Sequence, residues 1–247
     1  MNFKMFVSSG DSVPCFTGFT LIMPAVSVGN VGQLAVDLLV STLNMPRVGY
    51  FHTDCLLPVA GSNPYATSPD DDAQLCTSAD VYSHTDLKLA VLQIRSPIIQ
   101  NKVKLFRKQV VSWMKSCGFL RSVLLSSSHA YQRDDQQLHG TPLRYLLSPC
   151  LEKKEGQVLE DLDWREMERV SAFPGISDSE HCTEDLPLAV VLIFCSEGDN
   201  IPDAFALISH LNNWLHLLDK PAQGSVQWRV PPSWRLLFGS GIPPLLF

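Results

Sequence analysis

The best candidates for catalytic residues lie in the run Ser126-Ser127-Ser128-His129. Asp134 and Asp135 follow closely, so a Ser-His-Asp hydrolase that uses Ser128 and His129 is one hypothesis. However, a nucleophile elbow needs G-x-S-x-G, and no glycine flanks these serines. Adjacent side chains on a strand also point to opposite faces, which would separate Ser128 from His129. We therefore interpret the run as the polar end of a strand and retain the hydrolase as the alternative.

A second candidate is the glycine-containing run Ser27-Val28-Gly29-Asn30-Val31-Gly32, which lies between a predicted strand and a predicted helix. Phosphate groups bind at such places because the first amides of the helix are unpaired. Neither G-x-G-x-x-G nor G-x-x-x-x-G-K-[ST] is present. The run therefore predicts a tight β-to-α turn with close packing of helix on sheet, capped by Ser27 or Asn30.

No metal or cofactor site is predicted. His52 with Asp54, and His84 with Asp86, have the spacing of one strand face, but no further ligands are placed by spacing, so we interpret both as surface pairs. The sequence contains seven cysteines, an odd number, and no C-x-x-C motif. This pattern is typical of an intracellular protein whose thiols are reduced. The longest apolar run has about ten residues, whereas a bilayer needs about 20. We therefore expect a soluble protein without a signal peptide.

The apolar spacing along the chain alternates between strand and helix patterns. Strands are predicted at 19–26, 48–52, 87–94, 120–125 and 188–195, helices at 31–43, 103–114, 159–170 and 204–218, and a long loop at 54–79. The continuously apolar segment 188–195 is typical of a strand buried on both faces of a sheet. This alternation predicts one layered α/β domain over residues 1–247 with a largely parallel sheet.

Composition narrows the classes of function. Hydrophobic residues make up 45% of the sequence, charged residues only 18%, and the net charge is −6. An acidic chain is unsuited to binding nucleic acid or an anionic membrane, and the low charged share suggests a surface covered by a partner. Residues 152–185 contain eleven acidic and four basic residues, which favours a solvated, variable loop; a surface for a basic partner is the other interpretation.

Five stretches resemble the proteasome assembly chaperone family: 18–35, 63–67 (Asn-Pro-Tyr-Ala-Thr), 126–133, 196–204 and 233–241. The resemblance covers nearly the whole chain. It implies a three-layer α/β/α sandwich and a non-catalytic chaperone without a cofactor, in the cytoplasm and nucleus. It also implies a heterodimer with proteasome assembly chaperone 1 that binds the α-subunits of the 20S proteasome, promotes formation of the α-ring and prevents off-pathway α-ring dimerisation.

The C-terminal tail, about residues 239–247, ends in Leu245, Leu246 and Phe247. An apolar end either folds back onto the domain or docks in a partner's pocket. The resemblance implies docking, because related chaperones place tails of the pattern hydrophobic–Tyr–any residue between α-subunits. Leu246 stands at the tyrosine position, so the phenolic hydroxyl is absent.

Overall fold

The computed structural model describes residues 5–68, 74–133, 140–167, 185–219, 224 and 226–236. The α-helices in these residues are α1 (Val31–Thr42), α2 (Val103–Cys117), α3 (Pro149–Asp161) and α4 (Ile201–Leu215). The strands are β1 (Phe6–Ser8), β2 (Thr20–Pro24), β3 (Arg47–Phe51), β4 (Ala60–Ser62), β5 (Leu75–Thr77), β6 (Ala79–His84), β7 (Leu89–Ile94), β8 (Arg121–His129), β9 (Leu143–Leu147), β10 (Arg165–Glu166) and β11 (Leu188–Cys195). Within the described ranges, no helix has the length and apolar character needed to cross a membrane.

Nine strands form one sheet in the order β1-β3-β6-β7-β2-β8-β11-β9-β10, and β4 pairs with β5 in a separate two-stranded arm. The four central strands are parallel, so that Ile22 of β2 pairs with Val91 on one side and Val123 on the other. Antiparallel pairs flank this centre at β6–β7 and at β11–β9. The α/β class and the parallel arrangement at the centre of the sheet are confirmed.

Helices cover the two faces of the sheet unequally. On the first face, α1, α3 and α4 contribute Leu38, Leu159 and Leu207 to one continuous apolar core. On the second face, α2 is the α-helix that the described residues place over the sheet, and its Trp113 ring packs edge-on against Phe51 at a centroid distance of 5.3 Å. The three layers make an α/β/α sandwich, as the resemblance implied, with only partial cover on the second face.

Strand β11 differs from the prediction of burial on both faces. Ala189, Val191 and Ile193 are buried against the first core, but the alternate residues Val190 and Leu192 are only half-buried. The difference arises because α2 packs over β2 and the neighbouring strands rather than over this part of the sheet. Apolar residues on both faces of a strand therefore do not guarantee cover on both faces.

The sequence patterns missed several elements, among them the edge strand β1, the strands β9 and β10 that follow β8 in the chain, and three further features. The predicted loop 54–79 contains the arm strands β4 and β5. Strand β6 was not predicted, because its polar residue Asp80 interrupts the apolar pattern; its carboxylate is buried and accepts hydrogen bonds from Thr77. The helix predicted at 159–170 instead spans Pro149–Asp161, so the first part of the acidic region is a helix rather than a loop. Residues 168–184 lie outside the described residues.

A buried ionic cluster ties the long segment after β3 to the core. The Asp37 carboxylate on α1 accepts hydrogen bonds from Arg95 at 2.7 Å, from the Tyr65 hydroxyl at 2.6 Å and from Gln93 at 2.6 Å. Burial alone would lower the pKa of the Arg95 guanidinium, but the Asp37 carboxylate and the Tyr65 and Tyr82 side chains together outweigh burial and raise that pKa. The backbone amide of Ser233 donates to the Pro64 carbonyl beside this cluster, which positions the described end of the chain.

Candidate functional site

The serine run does not form a hydrogen-bonded nucleophile and base. Ser128 Oγ donates a 2.7 Å hydrogen bond to Gln132 Oε1 rather than to His129. The His129 ring stacks on Tyr131 at 4.7 Å, and its Nδ1 lies 3.9 Å from Glu197. Asp134 and Asp135, the third members of the hypothetical triad, lie outside the described residues. The observed partners orient the serine and the histidine separately.

Ser127 instead links strand β8 to the glycine turn before α1. Its hydroxyl lies 2.8 Å from Ser27 Oγ and donates to the Val28 carbonyl, while its backbone amide donates to Ser27 Oγ at 3.1 Å. Neither Ser27 nor Asn30 caps the helix with its side chain, so that part of the prediction is wrong. The Ser27 hydroxyl bonds across the sheet instead.

The glycine turn is packed too closely to hold a phosphate. Gly29 has a φ of 61°, and a Cβ there would lie 2.2 Å from Asn200 Oδ1. At Gly32 a Cβ would lie 2.5 Å from the Leu125 carbonyl oxygen of the sheet. The predicted tight turn with close packing of helix on sheet is confirmed, and the Asn200 side chain fills the space against Gly29.

The two His–Asp pairs also have separate partners. Asp54 forms an ion pair with Lys102 at 2.7 Å, and this hydrogen bond lowers the pKa of the carboxyl group. His84 Nδ1 accepts a 3.4 Å hydrogen bond from the Leu87 amide in the turn before β7. In the parts of the chain that the structure describes, no three histidine, cysteine or acidic residues are grouped as metal ligands. The six described cysteines are free thiols, and Cys182 lies outside those residues.

The most distinctive surface feature is an apolar groove on the second face of the sheet, which we call the α2 groove. Its floor contains Met23, Leu124 and Leu188, from β2, β8 and β11, and one wall is the side of α2 that carries Val103 and Val110. The groove has a volume of about 340 Å³. Small-molecule sites add several placed polar groups to an apolar lining. Here Arg107 is the one charged side chain among the lining residues, so the groove suits the apolar side chains of a protein.

Apolar surface continues beyond the groove across strands that no helix among the described residues covers. Leu124, Val190 and Leu146 lie side by side in register on β8, β11 and β9. Leu146 is 39% exposed, and at the other end of the groove Val26 is 45% exposed. Contiguous apolar surface of this kind marks sites of protein–protein contact. The α2 groove and this row together form the candidate binding site.

The predicted tail site, Leu245, Leu246 and Phe247, lies outside the described residues. The described chain ends in a short 3-10 helix, Pro232–Leu236, whose Trp234 is buried in the first core. Trp234 therefore anchors the end of the described chain to the domain.

The sequence analysis missed the α2 groove, although the sequence carries a signal for it. Between Leu87 and Arg133 there are nine basic residues and no acidic residue, within a chain of net charge −6. Helix α2 lies in this segment, and its apolar residues extend beyond the stripe needed to pack on the sheet. The surplus of apolar residues is the part of this signal that indicates an external partner, because Arg95, Lys102 and Arg121 pair with carboxylates elsewhere in the chain.

Comparison with known proteins agrees with this fold. A protein-family model described as the PAC2 family matches residues 21–218. "Proteasome assembly chaperone 2" of Danio rerio is 76% identical over 98% of this chain and all of its own length. The Homo sapiens protein of the same name is 50% identical over the same shares of the two chains.

Solved structures share the architecture at much lower identity. A Pyrococcus furiosus protein, PbaA, described as an archaeal homolog of proteasome-assembly chaperone, has a TM-score of 0.64 and 18% identity over 84% of this chain and 86% of its own. P. furiosus PbaB, described as an archaeal proteasome activator, has a TM-score of 0.61 and 12% identity over 87% and 90% of the two chains. The matched family model spans most of the sheet and its helices, and the chain belongs to the PAC2 family.

Proposed function

We propose that this protein is a non-catalytic chaperone of proteasome assembly that acts through protein-binding surfaces. In this proposal it forms a heterodimer with proteasome assembly chaperone 1, in the cytoplasm and the nucleus. The pair binds α-subunits of the 20S proteasome, promotes α-ring formation and prevents off-pathway dimerisation of α-rings. The names of relatives that match the chain over its length support the assembly role.

The observation that carries the proposal is the apolar α2 groove with its continuation across β8, β11 and β9. A chaperone must hide apolar surface that its client or partner would otherwise expose, and it needs apolar surface of its own to do so. Stable partners of this type bury roughly 2,000 Å² or more in total. The second face of the sheet, half-covered by α2, offers an extended surface for such an interface.

The serine run supports the same proposal, because its arrangement is not that of a catalytic site. Its hydroxyl groups are used to hold a turn and a strand end, and Ser128 and His129 have partners other than each other. A hydrolase would need a nucleophile within hydrogen-bond reach of its base. A hydrolase that uses Ser128 and His129 is the second hypothesis, and a direct assay of ester hydrolysis distinguishes it from the chaperone.

For the tail we propose docking rather than folding back. Leu245, Leu246 and Phe247 would enter a pocket between α-subunits, and the terminal carboxylate would pair with a lysine or with backbone amides. The anchored 3-10 helix at Pro232–Leu236 supports this, because it leaves only about ten residues to carry the apolar end outward. An extended segment of that length spans roughly 30 Å.

The proposal is tested by co-expression of the full chain with proteasome assembly chaperone 1, followed by size-exclusion chromatography with and without α-subunits. We expect a one-to-one complex that also retains α-subunits, and little soluble chain when it is expressed alone. A stable monomer that binds neither protein would contradict the proposal. Turnover of a panel of esters, abolished by Ser128→Ala, would establish the hydrolase instead.

A matched pair of variants on α2 tests whether the groove forms the interface. Val103 and Leu105 are both in the first turn of α2 and are 39% and 44% exposed, but Val103 lines the groove and Leu105 does not. An aspartate is favourable near a helix N-terminus, so both variants should fold. We expect Val103→Asp to weaken the complex by about tenfold or more and Leu105→Asp to leave it unchanged.

A further inference from the structure

Two free cysteines lie on the two sides of a contact between the segment before β2 and the end of α2. Cys117 is the last residue of α2, and Cys15 comes shortly before β2. The Gly18 amide donates a 3.0 Å hydrogen bond to the Gly118 carbonyl. Thr17 bridges the contact, because Cys15 Sγ lies 3.4 Å from Thr17 Oγ1, which itself lies 3.4 Å from the Cys117 carbonyl oxygen. One side chain therefore connects the two cysteine residues.

The two thiols differ in exposure and in acidity. Cys15 is exposed, and hydrogen bonds to the Thr17 hydroxyl and to the Thr17 backbone lower the pKa of its thiol. Cys117 is half-buried, and burial raises the pKa of its thiol against a smaller opposing effect of a hydrogen bond with Ser116. The negative charge of a Cys15 thiolate raises the pKa of Cys117 further, so the two sulfur atoms are close enough to interact. An exposed, acidic thiol next to a second thiol is typical of redox-sensitive cysteine pairs.

We propose that Cys15 and Cys117 form a reversible disulfide when the protein is exposed to hydrogen peroxide. The Cys15 thiolate attacks one peroxide oxygen and the O–O bond breaks, which leaves Cys15 as a sulfenic acid and releases hydroxide that takes up a proton as water. The Cys117 thiolate then attacks the Cys15 sulfur, so that the S–S bond forms, the S–O bond breaks and a second water leaves. Two thiols are thus oxidised to one disulfide, and one peroxide is reduced to two waters. A thiol reductant such as glutathione reverses the reaction by exchange.

The order of the two steps follows from the surroundings of each sulfur. Cys15 is the thiol that peroxide reaches and that ionises more readily, so it reacts first. The sulfenic acid is neutral, and the charge that opposed ionisation of Cys117 is therefore absent when Cys117 has to react. Disulfide formation needs Cα atoms about 4.4–6.8 Å apart. Residues 9–15 lie outside the strands and are mostly exposed, which leaves Cys15 room to move onto the end of α2.

The disulfide would fix the end of the helix that forms one wall of the α2 groove. It closes a loop of about 100 residues, which restricts the unfolded chain more than a short loop would. We expect the oxidised protein to have a Tm roughly 5–15 °C above that of the reduced protein. This inference does not depend on the proposed function, because the bond forms within one chain and needs no partner.

Peptide mapping of the full chain after oxidation tests the proposal. The reduced protein is treated with a small excess of hydrogen peroxide, the remaining thiols are blocked with iodoacetamide, and the chain is digested without reductant. We expect mass spectrometry to find one peptide pair that joins Cys15 to Cys117 and that dithiothreitol separates. Cys150→Ser is the matched control, because Cys150 is half-buried like Cys117. We expect this variant to retain the linked peptides and the rise in Tm, and Cys15→Ser to lose both.

Three outcomes would overturn the proposal. The first is recovery of Cys15 and Cys117 as separate blocked peptides after oxidation. The second is a sulfinic acid at Cys15 without linked peptides, which would show that Cys117 does not reach the oxidised sulfur. The third is a link from Cys15 to another cysteine, or a link between two chains on a non-reducing gel.

Discussion

Replacing Asp37 by asparagine tests whether the buried ionic cluster holds the segment after β3 on the domain. The Asp37 side chain is 7% exposed and the Arg95 side chain 19% exposed, so solvent can compensate little of a lost charge. The variant keeps the size of the side chain but leaves the Arg95 guanidinium without its counter-ion. Breaking a buried pair by removing one partner costs about 3–5 kcal/mol.

For a chain of this size each kcal/mol corresponds to about 2–4 °C in Tm, so we expect Asp37→Asn to lower Tm by roughly 6–20 °C. The assay is thermal and urea unfolding of the full-length chain. The double variant Asp37→Asn/Arg95→Met removes both charges, and we expect it to be less destabilised than the sum of the single variants by about 1–3 kcal/mol. A loss below about 0.5 kcal/mol for Asp37→Asn, or additive single variants, would refute the reasoning.

Three further predictions use the same measurements. Ser127→Ala should destabilise the fold by about 1–3 kcal/mol, because it leaves buried turn groups unpaired, whereas Ser128→Ala should change stability by less than about 0.5 kcal/mol; equal effects in urea unfolding would contradict this. Burial lowers the pKa of His210, so the unfolded chain takes up the proton first as the pH falls. Stability should therefore be complete above about pH 6.5 and decrease below it, and His210→Leu should flatten that dependence of the unfolding free energy on pH. Deleting residues 245–247 should leave Tm unchanged and weaken binding to α-subunits, whereas a lowered Tm with unchanged binding would indicate a tail folded onto the domain.

Periodicity predicted the helices α1 and α2 from their apolar spacing. Only α2 has one buried and one exposed face, because nearly every residue of α1 is buried. Gly118, with a φ of 65°, ends α2 as expected. Strand β6 was missed because polar residues interrupt its apolar pattern; Asp80, for example, is fully buried and accepts a hydrogen bond from Thr77, three residues earlier. The range of helix α3 was predicted wrongly because only two of its residues, Leu151 and Leu159, are buried. Two leucines among mostly charged and polar residues give a weak apolar pattern.

The site was harder to predict than the fold. The serine run suggested a catalytic site at Ser128 and His129, because residue type alone does not reveal hydrogen-bond partners 100 positions away, such as Ser27 for Ser127. The α2 groove was missed for a related reason: Leu124 and Leu188 look like ordinary core residues in the sequence, but the uneven cover of the sheet leaves them only partly buried. Asp37 and Arg95, which form the buried ion pair, are 58 residues apart in the sequence, and no local sequence pattern predicts that they meet.

The most direct test of the account is α-ring assembly in cells that lack this protein and are supplied with variants of it. The account predicts that Ser128→Ala/His129→Gln restores assembly to within about twofold of wild type, because these residues have structural roles. It predicts that Val26→Asp/Val103→Asp fails to restore assembly although the variant is folded, because the α2 groove no longer binds its partner. Assembly restored by the groove variant and lost with the serine–histidine variant would contradict the account.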